Sequence, residues 1–253
     1  MLTFRELAWA AYVYAIVTKG DKAHWKVEES REFIDGLVRV PGGCGLEKIE
    51  EVVVMQFLND WGRCRIPGYK TQGIASGIAH ELEKLDRADR EALCALSIVD
   101  VGAGRLSKER AGRIVKLYDN LSLINGCGPT VVSKILFVLF PKLFVMWDGA
   151  IRAHWKSSEP LIPTEDRRGY VTFLDRMGEM AKSVCDDYAE TLGRRDRPED
   201  YLSHGLYVEP KTLAKYLDEY GWMKITIIGA IPPQDVPSDL FPPPEWLTTL
   251  AHS

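Results

Sequence analysis

Apolar positions along the chain recur at helical spacing and never alternate over a useful length, which predicts an all-α protein of ordinary helices joined by short polar loops. A first helix covers residues 3–18, with Thr3 as N-cap and Glu6 three positions on closing a capping box. A polar stretch, Lys19 to Lys26, leads to a second helix over Glu28 to Val38, and residues 41–45, rich in glycine, form a loop. From Leu46 to Leu58 the late positions Val52, Val53, Val54, Met55, Phe57 and Leu58 make a helix apolar nearly all round, which places it in the core. Further helices follow at Gly73 to Leu85 and Asp89 to Leu96. A basic amphipathic helix, Ser107 to Tyr118, carries Lys108, Arg110, Arg113 and Lys116. Later come a loop from Ser157 to Thr164, a helix over Tyr170 to Ala189, a mixed-charge segment from Gly193 to Asp200, and a last helix over Pro210 to Tyr220. The tail, residues 231–253, holds six prolines and reads as an irregular strap over the domain.

The stretch from Leu123 to Trp155 concentrates the candidate chemistry. Gly126-Cys127-Gly128 is a tight turn between the basic helix and a second helix opened by Pro129, where the missing proline N–H costs nothing. Amides around Gly126 and Gly128, with the hydroxyls of Thr130 and Ser133, are a donor set for one phosphate. Asp148 follows on a short apolar segment, Phe144 to Trp147. A carboxylate near a phosphate site lowers affinity for a polyanion, so it needs a chemical reason to be there. Ahead of this stretch, Asn59, Trp61 and Arg63 combine an amide, an aromatic and a cation before the helix-breaking Pro67, a composition suited to a base and its phosphates.

Composition narrows the choice without making it. At 253 residues, with 46% hydrophobic and 27% charged positions, the chain reads as one large globular domain. The net charge of −4 excludes a general polycation and leaves open a local basic surface. Five cysteines at 44, 64, 94, 127 and 185 include no CxxC pair, which argues against a zinc or iron–sulfur site and for free thiols in a reducing cytoplasm. The apolar run Leu7 to Val17 is too short to cross a bilayer and reads as a buried helix, so no membrane association is expected. No GxxxxGK[ST], HExxH or GxSxG motif is present, and the lone glycine stretch Val101 to Gly104 follows no strand.

Ser107 to Trp155 resembles the helix-hairpin-helix DNA glycosylases. Members carry a turn such as GVG, two residues later a lysine or a small polar residue, and then an aspartate in a context such as LDGxxxR. Here the turn is Gly126-Cys127-Gly128, the variable position is Thr130, and the aspartate context is Trp147-Asp148-Gly149-Ala150-Ile151-Arg152, 18 residues beyond Thr130. The resemblance implies two helical subdomains with the active-site cleft between them: residues 25–155 with the hairpin at 107–135, and residues 1–24 with 156–253. It implies a monomer that acts on double-stranded DNA, flips a damaged or modified base out and cleaves its N-glycosidic bond. No cofactor is implied beyond room for a monovalent cation at the hairpin backbone.

Under that resemblance Asp148 stabilises the sugar cation or activates water, while Gly126, Gly128, Thr130, Ser133 and Arg152 hold DNA. Thr130 stands where a Schiff-base lysine would be, so a monofunctional enzyme is expected. Lys134, one turn further on, is the residue through which lyase activity would arise. Asn59, Trp61, Arg63 and Trp147 are assigned to the base pocket, with His154 and Trp155 as weaker candidates. The SKxLFxxxP stretch looks closest to bacterial and archaeal oxoguanine-type members, and hypermodified cytosine of phage DNA, removed in phage defence, is the alternative substrate. A non-catalytic helix-hairpin-helix binding module, in which Asp148 merely caps a helix, is the competing reading.

Overall fold

A computed structural model of the chain describes residues 1–18, 27–41, 45–158, 167–194, 196–205 and 211–226. The expected strap, the stretch Lys19 to Lys26, most of the 157–164 loop and Arg195 lie outside the described residues. Within them the protein is mostly helical and contains no strand. The order is α1 (Phe4–Thr18), α2 (Val27–Arg39), α3 (Leu46–Ile49) running into a π-helical segment (Glu50–Trp61), α4 (Gly68–Lys84), α5 (Arg87–Ala95), α6 (Ile98–Gly102), α7 (Lys108–Ser122), α8 (Pro129–Leu139), α9 (Gly149–Ser158), α10 (Arg167–Leu192), α11 (Pro198–Gly205) and α12 (Leu213–Thr226).

Local signals set several boundaries. The Thr3–Glu6 capping box forms, each residue accepting from the other's backbone N–H at 3.2 Å. α6 starts beyond the expected helix end at Leu96 and runs into the glycine stretch Val101 to Gly104. Its start is fixed by a second capping box, Ser97 with Asp100. α4 begins five residues before the expected Gly73, since burial of Thr71, Ile74, Ala75 and Ile78 outweighs the poor helix propensity of its glycines. The expected charge cluster at 193–200 contains the ion pairs Arg194–Asp196 at 3.9 Å and Arg197–Glu199 at 2.5 Å, and its end opens α11.

The core is continuous. α8 is its centre, with Val132, Ile135 and Leu136 fully buried, and it packs against α7, the π-helical segment and α2. The apolar segment 143–147 is buried beside it. α1 packs against α10 and α12, so the two ends of the described chain meet, and α12 in turn packs on α9. α6 crosses α10 at a pair of glycines: a Cβ on Gly102 would lie 1.9 Å from the Gly178 carbonyl oxygen. The glycines of Val101 to Gly104 thus include one required by backbone-to-backbone packing.

Candidate active site

α7 ends at Ser122, and the turn that follows carries Gly126 at φ 100°, a left-handed conformation that favours glycine. Cys127 N–H donates to the Ile124 carbonyl at 2.9 Å and tightens the turn. Exposed Gly128 is the N-cap of α8 and Pro129 its first residue, with no side chain closing the helix end. The first-turn N–H groups of α8 are therefore open to an anion. Gly126 and Gly128 both lie on the surface, as a backbone grip requires.

Ser133 departs from expectation. It is 0% exposed, donates to the Thr130 carbonyl at 3.0 Å and accepts from Trp147 N–H at 2.9 Å. Its hydroxyl is a pin between α8 and the apolar segment, and it does not reach DNA. Thr130 and Arg152 meet each other instead: Arg152 Nη1 donates to Thr130 Oγ1 at 2.7 Å and to the Trp147 carbonyl at 2.9 Å. Both are half-buried. These bonds fix the end of the segment that carries Asp148, so Arg152 acts here as a latch.

Asp148 is half-buried and opens α9. Its Oδ1 accepts from Ile151 N–H at 2.9 Å and its carbonyl from Arg152 N–H at 3.0 Å. No hydrogen-bond donor among the described residues meets its second carboxylate oxygen. Asp148 lines a cleft of ≈ 350 Å³ with Lys134, Trp61 and Arg63, so four residues singled out in sequence converge. Lys134 Nζ donates to the Gly62 carbonyl at 2.5 Å, which ties α8 to the loop after the π-helical segment.

That loop is tightly built. Gly62 N–H donates five residues back to the Phe57 carbonyl at 2.7 Å, and a Cβ at Gly62 would lie 2.7 Å from the Leu58 carbonyl oxygen. Asn59 closes the loop from within, accepting from Ile66 N–H at 2.7 Å and donating to its carbonyl at 3.0 Å. With both ends of its amide committed, Asn59 is a loop clamp, which corrects its assignment to the base pocket. Arg63 and Arg65 both adopt positive φ, 50° and 54°. Strained non-glycine residues of this kind cluster at functional sites.

Trp147 is also corrected. It is 0% exposed and stacks on Phe173 with centroids 5.5 Å apart, so it belongs to the core. Trp61 does line the cleft, but Phe57 stacks on it at 5.1 Å and Lys215 Nζ lies 5.0 Å from its ring centroid. The exposed His154 and half-buried Trp155 lie outside this cleft and line a second cavity of ≈ 360 Å³ on the far side of Asp218.

The remaining cleft wall was not anticipated. α1 contributes Tyr14 and Thr18, and α12 contributes Lys215, Asp218 and Trp222. Trp222 packs edge-on to Tyr14 at 5.4 Å, and the Lys211 and Lys215 ammoniums lie 5.1 and 5.5 Å from the Tyr14 ring centroid. Lys215 pairs with Asp218 at 2.6 Å and lies 3.6 Å from Glu219, whose other neighbour is Lys211 at 2.8 Å. The Lys211 contact has the distance of an ion pair without hydrogen-bond direction. Burial opposes the Lys215 charge, but the Asp218 and Glu219 carboxylates outweigh it and hold the ammonium above its ordinary range. Burial raises Asp218 above the usual carboxylate range against the pull of Lys215, and Asp148 adds to the rise. The four-residue steps Lys211, Lys215, Glu219 were the available signal, yet nothing local in them points to Asp148.

No protein-family profile, curated protein or solved structure matches this chain.

Among the described residues no group of three His, Cys, Asp or Glu side chains is placed to hold a metal ion, and no helix is long and apolar enough to cross a membrane. Among the described residues the cleft thus offers an Asp148 carboxylate oxygen that meets no donor, the Asp218 carboxylate paired with Lys215, cations at Arg63 and Lys134, and Trp222 on its wall. Its volume lies in the range of about 300–1,000 Å³ usual for small-ligand sites.

Proposed function

We propose that the protein is a DNA glycosylase of the helix-hairpin-helix type, with its cleft between the central helices and the α1–α12 pair. The observation that carries this reading is the Asp148 oxygen that meets no donor among the described residues, in a cleft with Lys134 and Arg63, on a buried segment pinned to the first turns of a helix whose N-terminus opens at a glycine hairpin.

In the reaction the hairpin holds a backbone phosphate and the target nucleotide leaves the stack to enter the cleft, since the bond to be cut is out of reach within the duplex. Breaking the N-glycosidic bond gives both electrons to the departing base and builds positive charge on the sugar. The carboxylate of Asp148 stabilises that charge, and water adds its hydroxyl to C1′ while the base leaves with a proton. The latch of Arg152 on Thr130 and on the Trp147 carbonyl holds Asp148 in place. Trp222 provides the aromatic wall for the base, in place of Trp147. Oxidised guanine and a hypermodified cytosine of phage DNA are the substrates proposed.

A second reading, a non-catalytic DNA-binding module, draws on the Asp148 Oδ1 bond to Ile151 N–H, an N-cap interaction that needs no chemistry. One experiment separates the two. The protein is incubated with duplexes carrying uracil, oxoguanine, alkylated bases or glucosylated hydroxymethylcytosine, and alkali-labile abasic sites are counted. The enzyme reading expects cleavage of one substrate, lost by about 100-fold or more in Asp148→Asn, with DNA binding retained. An Asn variant as active as the parent excludes the mechanism; binding without cleavage of any substrate favours the module. Borohydride added to the same reactions is expected to trap no covalent adduct, since Thr130 has no amine and the Lys134 ammonium is tied to the Gly62 carbonyl; an adduct lost in Lys134→Ala would overturn the monofunctional reading.

A further inference from the structure

The hairpin is flanked by a surface that the cleft does not use. The first turn of α4 follows the Arg63–Pro67 loop and lies against the hairpin turn. Lys70 Nζ donates to Asn125 Oδ1 at 3.4 Å, and a Cβ on Gly126 would stand 3.3 Å from Lys70 Cδ and 3.9 Å from its Nζ. Ile124 closes the same contact, lying 2.6 Å from where a Cβ of Gly77 would be.

Two features mark this surface. Tyr69, in the first turn of α4, and Leu123, the C-cap of α7, are each 84% exposed. Next to them Lys70 and the exposed Arg65 form no ion pair with any carboxylate among the described residues. Neither α4 nor α8 has an acidic residue in its first turn. On a chain of net charge −4, a lysine that meets no carboxylate among the described residues and is set against the hairpin turn is complementary to a polyanion.

We propose that Arg65, Tyr69 and Lys70 are a second contact with duplex DNA, adjoining the hairpin. Lys70 adds its ammonium to the phosphate held by the hairpin amides, so the positive charge at that grip comes from the chain. Arg65, exposed in the loop that leads into α4, meets the next phosphate toward the cleft, and Tyr69 and Leu123 lie against the sugars. This contact rests on the DNA glycosylase reading and extends it from one phosphate to a tract of backbone leading into the cleft.

Binding of a fluorescein-labelled duplex containing a reduced abasic site, followed by anisotropy across a salt series, tests it without requiring catalysis. Each phosphate neutralised contributes about 0.9 to the slope of log K against log salt. Lys70→Gln and Arg65→Gln are each expected to lower the slope by about 1, with Lys70→Arg retaining it. Arg87→Gln, whose parent pairs with Glu91 on α5, is expected to leave the slope unchanged. Gly128→Glu provides the hairpin reference, because a Cβ there meets nothing within 4 Å and the added carboxylate faces the phosphate. Unchanged slopes in both Gln variants, with Gly128→Glu still weakening binding, overturn this contact and leave the hairpin grip standing. Absence of DNA binding by the parent protein overturns both.

Discussion

Ser133 and Asp148 lie on different elements and are joined through one backbone amide. The Ser133 hydroxyl accepts from Trp147 N–H, and Asp148 is the next residue. Replacing Ser133 by alanine leaves that N–H buried without a partner, which costs about 1–3 kcal/mol. Ser133→Ala is therefore expected to lower the melting temperature by several degrees and to reduce base release by more than it weakens DNA binding. Equal losses in binding and turnover would mean that the pin supports the fold in general and not the carboxylate. The same pair shows what sequence can and cannot convey at this scale. The spacing from hairpin to aspartate brought Asp148 and Lys134 to one cleft with Trp61 and Arg63. Ser133, Trp147 and Asn59 were misassigned for a shared reason: residue type suggested chemistry, whereas the direction of the side chain depends on packing. Ser133 turns toward the segment that carries Trp147, Trp147 toward Phe173, and Asn59 back into its own loop.

Helices were legible wherever the apolar stripe was long, and their ends wherever a cap was present, as at Thr3 and Ser107. Short α6 escaped because five residues give no period, and its glycine suggested a loop. The physical role of that glycine appears only with the partner helix. Gly178 is inside α10, where alanine in an open site would stabilise by up to about 1 kcal/mol. Here an added Cβ would come within 2.6 Å of Gly102 N, so the sign reverses. Gly178→Ala is expected to destabilise by about 1–3 kcal/mol in denaturant unfolding, the range of overpacked cores. Gly73→Ala in α4, where a Cβ meets nothing within 4 Å, is expected to stabilise. If both substitutions stabilise, the α6–α10 crossing is not a backbone contact.

At the scale of the molecule the cleft exists because the chain closes on itself. α1 and α12 come from opposite ends and supply Tyr14, Lys215, Asp218 and Trp222, and no local pattern announces a contact of that sequence separation. The buried groups that result from such packing give the whole fold a dependence on pH. Burial pushes the Cys127 thiol, in the hairpin, from 9.0 up to about 12, and Cys64 nearby adds to the rise. Burial pushes the Cys185 thiol, on α10, from 9.0 up to about 11, reinforced by Glu199 and Asp186. A thiol with a raised folded-state pKa favours the folded form while both states are protonated, so its contribution is complete below pH 9. As pH rises further the unfolded chain loses its protons first, and the contribution declines until the folded-state value is passed. Melting temperature is therefore expected to be flat up to about pH 9 and to fall between pH 9 and pH 11. Cys127→Ala removes one of these groups at the base of the hairpin. Its melting temperature is expected to start lower, from the lost packing, and to fall less steeply across the same interval. A parallel curve for parent and variant would assign the alkaline loss to other groups, with Lys215 and its two carboxylates on α12 the next to examine by the same substitution series.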